Sequence, residues 1–435
     1  MRLLFLVILA VCVVNSTSSQ GNIVWSEEIQ VTAERESTRG YFFPSSGRYL
    51  YPELLVCQTN AVLIGFLDGK GRYVVRSIRD GKVGDFFEMD CYPNGEKVER
   101  LPQILTQDDG FVVASVRREP WTNRFTIYFV PLQQNGKATE PVNEFLLPNR
   151  RQSSSNFTLE SVVTSAKASN IYLVVGSIDE AVRRLSLHPE INKKNCAVAL
   201  TASTNLPLET IEVKGKFEAR AAAYVAVKGT FYSAWIRDSD ATLFSKAHSE
   251  SICYSQRSEA GNWSKPIVLF TEHTKNIYSI ADVSIACGHR KTFVMWARDL
   301  DGIYYSEIKN GKSATAQRIG DWEGFDSKLA EDIARPADAP CCNIASDAHD
   351  NIFAVWVLNR KLEKAGAGRR VEHKIVFRAR LQNRWTPEML VSLNSGDVRS
   401  PKIVVDAIGG IHLAYLKRTD SEKFGCFYRK WQHNQ

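Results

Sequence analysis

The feature that most narrows the fold of this chain is an internal repeat. One phrase, an apolar strand, a tight Asp/Gly turn and a second strand ending in an aromatic, returns at near-equal spacing. It is clearest at Pro401-Lys-Ile-Val-Val-Asp-Ala-Ile-Gly-Gly-Ile-His-Leu-Ala-Tyr415, where Asp406 stands nine residues before Tyr415. In Ile344-Ala-Ser-Asp-Ala-His-Asp-Asn-Ile-Phe-Ala-Val-Trp356 the turn Asp again stands nine residues before the aromatic. Aligning the copies on the end of the second strand gives Gly65, Ser115, Val175, Trp235, Trp296, Trp356 and Tyr415, spaced by 50, 60, 60, 61, 60 and 59 residues. Third strands follow at Ile252-Cys-Tyr254, Ile303-Tyr-Tyr305, Val376-Phe377 and Phe427-Tyr428, and fourth strands open with Trp263-Ser-Lys-Pro-Ile267 and Trp385-Thr-Pro387.

Four short strands per unit, repeated radially, predict an all-β fold: a seven-bladed β-propeller of four-stranded antiparallel blades, with six blades the alternative. A right-handed solenoid is the rival, but its repeats are usually shorter and less aromatic. The seventh unit ends after its third strand, at Trp431, and Trp25-Ser-Glu-Glu-Ile-Gln-Val31 near the start carries the missing motif. The first strand is therefore expected to complete the last blade, which removes two free sheet edges.

The compartment comes from the first residues. A basic start, an apolar run from Leu3 to Val14 and a small polar stretch read as a secretory leader over 1–19, with 20–435 as a single propeller domain. No later stretch is long and apolar enough to span a bilayer. The protein is thus expected to be secreted, with no membrane span. Beyond Cys12 in the leader, eight cysteines remain, Cys57, Cys91, Cys196, Cys253, Cys287, Cys341, Cys342 and Cys426, which an oxidising compartment would allow to form up to four disulfides. None is spaced as C-x-x-C, so neither a zinc site nor any cofactor is expected. Asn156-Phe-Thr and Asn262-Trp-Ser are glycosylation sequons.

In a propeller the second strand of each blade delivers its last residues to the mouth of the central channel. Two positions beyond the seven anchors lie Leu67, Arg117, Ser177, Arg237, Arg298, Leu358 and Lys417, four of them cationic. The loops there add Asp238, Asp299, Arg360 and Arg418 as candidate ligand contacts. Guanidinium groups take carboxylate or sulfate bidentately, and nearby aromatics offer stacking faces for sugars. An acidic glycan or glycoprotein is the expected partner. Nucleic acid is not, for an exported chain with a net charge of only +7. The structural alternative is that Arg237-Asp238 and Arg298-Asp299 are ion pairs and turn caps between blades, and that Trp235, Trp296 and Trp356 simply pack between sheets. For catalysis, Tyr415 is the best-placed tyrosine, and His188, His248 and His373 are the only ligand-side histidines. A short helix is expected near 328–334, within a long insertion.

The segment Tyr254-Ser-Gln-Arg-Ser-Glu-Ala-Gly-Asn-Trp-Ser-Lys-Pro266 resembles the BNR, or Asp-box, repeats of sialidases and related carbohydrate-active propellers, with Glu259 in the carboxylate slot. Such boxes are structural turns, so the resemblance implies fold rather than chemistry. Where sialidases open with Phe/Tyr-Arg-Ile-Pro, this chain has Tyr49-Leu-Tyr-Pro52, with Leu50 in place of the carboxylate-gripping Arg, and Asp68-Gly-Lys70 stands where Glu-Gly-Arg often follows. The resemblance implies a secreted glycan-binding propeller. A glycoside hydrolase or polysaccharide lyase acting on acidic glycans is the alternative within the superfamily, and a protein-interaction scaffold is the alternative outside it.

Overall fold

The structure is a computed structural model. It describes residues 25–32, 52–57, 61–68, 72–90, 97–107, 110–118, 125–138, 143–146, 156–164, 171–179, 182–191, 209–210, 218–227, 230–238, 248–258, 263–274, 280–298, 301–321, 341–361, 371–392, 398–419 and 424–431. The expected leader, the expected helix near 328–334, Cys91, Cys196, Asn262 and Asp299 lie outside these residues.

The described residues are all strand and turn, with no helix, and the strands form seven antiparallel sheets. The first sheet runs Glu53–Val56, Val62–Leu67, Arg72–Arg79 and Lys82–Asp90. The second runs Lys97–Gln107, Gly110–Arg118, Phe125–Gln133 and Asn143–Leu146, and the third Asn156–Thr164, Ile171–Asp179, Val182–Ile191 and Glu209–Thr210. The fourth takes Glu218–Val227, Thr230–Asp238, His248–Ser258 and Ile267–Thr274. In the fifth, Ile280–Cys287, Thr292–Arg298 and Gly302–Lys309 are followed by Lys312–Ser313 and Gln317–Asp321, both paired with the third strand. The sixth repeats that arrangement with Cys342–Ser346, Ile352–Lys361, Val371–Leu381, Arg384–Trp385 and Met389–Leu390. The seventh is Val398–Val405, Ile411–Arg418 and Phe424–Trp431, and its fourth strand is Ile29–Gln30 from the start of the chain.

All seven repeat anchors lie on the second strand of their sheets, and that strand continues beyond each of them. The predicted third strands and the Trp-Ser/Thr openings also fall where expected. The structure explains the Trp-Ser/Thr motif. Ser264 N donates to Gln256 O at 2.8 Å while Gln256 N donates to Ser264 Oγ at 3.1 Å. Thr386 makes the same exchange with Ala379, at 2.8 and 3.0 Å, and Ser26 makes it with Lys430, at 2.8 and 2.9 Å. A β-hydroxyl next to the Trp thus adds a second bond where the fourth strand begins; the fifth sheet has Ala314 there and keeps only the first, from Ala314 N to Glu307 O at 2.7 Å. The carbonyl of the same residue accepts from the third strand: from Ser255 Oγ onto Ser264, from Arg378 Nε onto Thr386 and from Arg429 Nε onto Ser26.

The repeated turn Asp also has a defined role. Asp347 Oδ1 accepts from His349 N and Asn351 N, and Asp406 Oδ1 accepts from Ile408 N and Gly410 N, each folding the hairpin between first and second strands. Gly410 is required there, because a Cβ would lie 2.4 Å from Asp406 Oδ2.

Between sheets the core is apolar and aromatic. Trp296 packs in the cluster shared by the fourth and fifth sheets, Trp356 in that of the fifth and sixth, and Tyr415 in that of the sixth and seventh. Each is fully buried, and a side chain of that size contributes about 4–6 kcal/mol of transfer free energy as an upper bound. A further cluster joins the seventh sheet to the first, through Ala414, Cys426 and Tyr428 against Ile64, Phe66 and Val74. First strands of consecutive sheets lie side by side through the whole series, and the seventh lies beside the first. Side chains tie several of them together. Cys342 N donates to Asp282 Oδ2, Ile344 N to Ser284 Oγ and Ile403 N to Asn343 Oδ1, at 2.9–3.2 Å.

Candidate functional site

At one end of every sheet the first strand enters and the second strand leaves. Arg117 sits there opposite Val98 and Thr126, Arg237 opposite Ala219 and Ser251, Arg298 opposite Ile280 and Gly302, and Lys417 opposite Val398 and Gly425. These four cations therefore share one register position at one end of the array. Asp238 pairs with Glu250, Arg360 with Glu372 and Arg418 with Phe424, all at the same end. The side chains of Arg117, Asp238 and Arg360 are outside the described residues.

The first sheet needs a correction of one residue. Trp296, Trp356 and Tyr415 each face the preceding sheet, whereas a Cβ on Gly65 would point at Tyr73 and at Ile104 of the following sheet. Phe66, which packs against the seventh sheet, is the true counterpart of those aromatics. Two positions on is then Asp68, not Leu67. Asp68 is buried and accepts from Arg72 N at 2.8 Å and Arg72 Nε at 2.9 Å, so the first sheet places an acid where four others place a cation.

Arg298 reaches across to the fourth sheet. Its Nε and Nη2 bind the two oxygens of Glu272 at 2.9 and 2.6 Å, and its Nη1 binds Asp301 and, at 3.3 Å, Tyr304 Oη. The guanidinium lies 5.4 Å from the centroids of both Phe270 and Tyr304; the Tyr304 ring stacks with Trp296 and the Phe270 ring is tilted against it by 35°. Burial works against its charge, but Glu272, Asp301 and Tyr304 outweigh it and raise its pKa above the usual arginine value. Arg318, half exposed, adds contacts to Asp321 at 2.9 Å and to the Asp301 carbonyl at 2.5 Å. Glu250, directly opposite Glu272 and fully buried, accepts from Ile280 N at 2.6 Å.

Lys417 is held differently. Its Nζ lies 2.5 Å from Glu28 Oε1, and Tyr415 Oη donates to the other oxygen of the same carboxylate. Both pack on Phe427, Lys417 through its ammonium and Tyr415 by stacking. Burial, with Glu28 beside it, raises the Tyr415 pKa well above the ordinary tyrosine value, so its proton stays on oxygen at neutral pH. A tyrosine fully buried in this way is not set up as a nucleophile. On the other face of this sheet Arg399 stacks over Phe424 at 5.1 Å, and Arg418 is exposed.

At this end the first strands are irregular. Register shifts occur at 98–103, 159–161, 220–222, 280–282 and 399–402, in five of the seven sheets. Such bulges re-aim side chains and are frequent beside binding sites. Ser400, in the last of them, is buried with φ of +51°.

The remaining candidates are placed as follows. No disulfide joins any two of the six described cysteines, Cys57, Cys253, Cys287, Cys341, Cys342 and Cys426, which lie in or beside different sheets or, at Cys341-Cys342, next to each other in sequence. Burial pushes Cys57 and Cys253 up to about 11 and Cys287 to about 12, and raises Cys342 and Cys426 as well, which leaves them protonated and unreactive at neutral pH. His373 is buried on the third strand of the sixth sheet, and the side chains of His188 and His248 are outside the described residues. His412, at the far end, bridges Asp406 Oδ2 at 2.9 Å and Tyr428 Oη at 2.7 Å. No group of three or more metal-ligating side chains occurs among the described residues. Sequence reasoning missed Glu28, Glu250 and Glu272, whose roles arise only from cross-strand and cross-sheet pairing.

No family model matches the chain, and no curated protein matches it. Among solved structures, an α-L-arabinanase of Penicillium chrysogenum in complex with arabinobiose is similar with a TM-score of 0.44 and 8% identity, covering 93% of this chain and 98% of the other. A protein of unknown function from Dyadobacter fermentans gives 0.45 and 10%, covering 95% and 99%. The endosialidase of phage phi92 gives 0.44 and 7%, covering 94% and 70%.

Proposed function

We propose that this chain is an exported, seven-bladed β-propeller that binds acidic glycans at the mouth of its ring, where second strands end. Support for the ring comes from the side-by-side first strands and from the apolar cluster between seventh and first sheets. Support for closure by the N-terminal strand is its use of the same hydroxyl exchange as the internal fourth strands. The observation that carries the binding reading is the shared register of Arg117, Arg237, Arg298 and Lys417, with the exposed Arg418 at the same end. Converging cations beside aromatic rings suit a carboxylated or sulfated sugar chain.

Within this set, Arg298 and Lys417 are also bound internally, by Glu272 and Glu28. The test is an array of sulfated, uronic-acid and sialylated glycans probed with the secreted protein, beside a product-release assay on each glycan bound. Binding that prefers acidic over neutral glycans, and that weakens in Arg117→Ala and Arg237→Ala, is expected. No preference for acidic glycans would overturn the reading, and product release would replace binding with hydrolysis or elimination.

A further inference from the structure

In the seventh sheet the cation of the series already holds a carboxylate. Glu28, next to the strand Ile29–Gln30 that completes this sheet, places its Oε1 2.5 Å from Lys417 Nζ, and its second oxygen accepts from Tyr415 Oη. One acid thus takes both donors, one oxygen to each, and both donor side chains pack on Phe427. A carboxylate on a sugar ring presents the same two oxygens, and a sulfate presents more. Glu28 and the ligand group of the proposed function therefore call on the same ammonium.

Two features make Glu28 displaceable. Its side chain is 24% exposed and that of Lys417 14%, so the pair borders on solvent although Tyr415 beside it is buried. The closing strand is also held independently of this carboxylate. On one side of Glu28, Ser26 exchanges two bonds with Lys430, and on the other Val31 N donates to Cys426 O at 2.8 Å while Cys426 N donates to Thr32 Oγ1 at 3.1 Å. The carboxylate can swing away while the strand stays paired. Glu272 is the contrasting case, since it meets Arg298 through two bonds and Arg298 is held further by Asp301 and Tyr304.

We propose that Glu28 is a built-in competitor of acidic ligands at Lys417, its carboxylate leaving the ammonium when a carboxylate or sulfate of the ligand takes its place; this rests on the reading of the mouth as an acidic-glycan site. Being part of the same chain, Glu28 competes at an effective concentration of about millimolar or more, so weakly held anions are kept off Lys417. Ligand affinity at the seventh sheet then reflects an exchange of one anion for another. The closing strand keeps its ladder throughout.

The test uses the full-length protein and a heparin-derived octasaccharide at fixed ionic strength. Glu28→Gln keeps the size of the side chain and removes its charge. Glu27→Gln is the control, because Glu27 is exposed and carries the same charge one residue away. In wild type, carbodiimide coupling of glycine ethyl ester, read by peptide mass spectrometry, reports how open the Glu28 carboxylate is relative to Glu27 in the same peptide. Hydrogen exchange over 25–32 reports the pairing of the closing strand. The expected result is probe binding tighter by about threefold in Glu28→Gln and by less than about 1.5-fold in Glu27→Gln. In wild type, saturating probe should raise Glu28 labelling relative to Glu27 by a similar factor with no change in exchange over 25–32. Equal gains in the two variants, or probe binding that leaves Glu28 labelling unchanged, overturn the proposal while the acidic-glycan reading stands. If Glu28→Gln fails to fold, the wild-type labelling decides alone. No probe binding to any form removes the acidic-glycan reading and the proposal with it.

Discussion

Replacing Arg298 by Met separates a ligand contact from a clamp between sheets. Methionine keeps most of the apolar stem against Phe270 and Tyr304 and removes only the charge and its donors. The guanidinium makes two bonds to Glu272 and one each to Asp301 and Tyr304. Hydrogen bonds to charged groups are worth about 1.5–3 kcal/mol each, but a simple sum would overshoot because they share one side chain. The side chains are also partly wet, with Arg298 at 22%, Glu272 at 18% and Asp301 at 29% exposure, so solvent screens what remains. Breaking a fully buried pair costs about 3–5 kcal/mol, and discounting for this exposure leaves about 2–3 kcal/mol. In a domain of this size that lowers Tm by about 3 °C. Arg298→Lys keeps the charge but loses the bidentate fork, and should recover less than half of the loss. Thermal unfolding and the glycan-binding assay are run on the same preparations. An unchanged Tm together with weakened glycan binding would refute the clamp and return Arg298 to the ligand.

Two further outcomes concern the seventh sheet. Arg429 is buried and donates to the carbonyls of Ser26, Trp25 and Val391, so Arg429→Met strips three acceptors from the place where the N-terminal strand joins. The cost is about 3 kcal/mol, read as faster hydrogen exchange over 25–32, and unchanged exchange there would reject the closure argument. The second outcome is acid sensitivity at His412, whose pKa is lowered by burial against the opposing pull of Asp406, with Lys430 also disfavouring the charge. Because the folded value lies below the unfolded one of about 6.5, the folded state binds fewer protons, and stability is lost as pH falls below about 6.5 toward the folded pKa. His412→Gln should flatten the fall in Tm between about pH 7 and pH 5, and an identical fall in wild type and variant would remove His412 as its source.

How far the sequence reached follows from which residues carry a geometric requirement. The Trp-Ser/Thr motif is legible because its β-hydroxyl accepts the third-strand N–H while its own N–H donates back, as in Ser26, Ser264 and Thr386. The turn Asp was legible because Asp347 and Asp406 each cap two backbone N–H groups. The register of the first sheet was misread for an equally physical reason. Val62–Leu67 is buried along its whole length, so no alternation marks which face meets the preceding sheet, and Gly65 and Phe66 look equivalent until the packing is seen.

The cations expose a deeper limit. A sequence repeat can copy a cation from sheet to sheet whether it holds a ligand or a neighbouring strand, so recurrence alone does not separate the two roles. What separates them is the carboxylate each one meets. Glu272 reaches Arg298 from another sheet, and Glu28 reaches Tyr415 and Lys417 across 387 and 389 residues of sequence. Neither acid lies near its cation in the repeat phrase, and Asp68, the one acid within the series, turns inward to Arg72. A cation at this register position is therefore a clamp wherever an outer or closing strand brings a glutamate within bonding distance. Charge reversal at the glutamate, Glu272→Lys or Glu28→Lys, should then destabilise the protein as much as loss of the cation itself, which a ligand-binding arginine would not do.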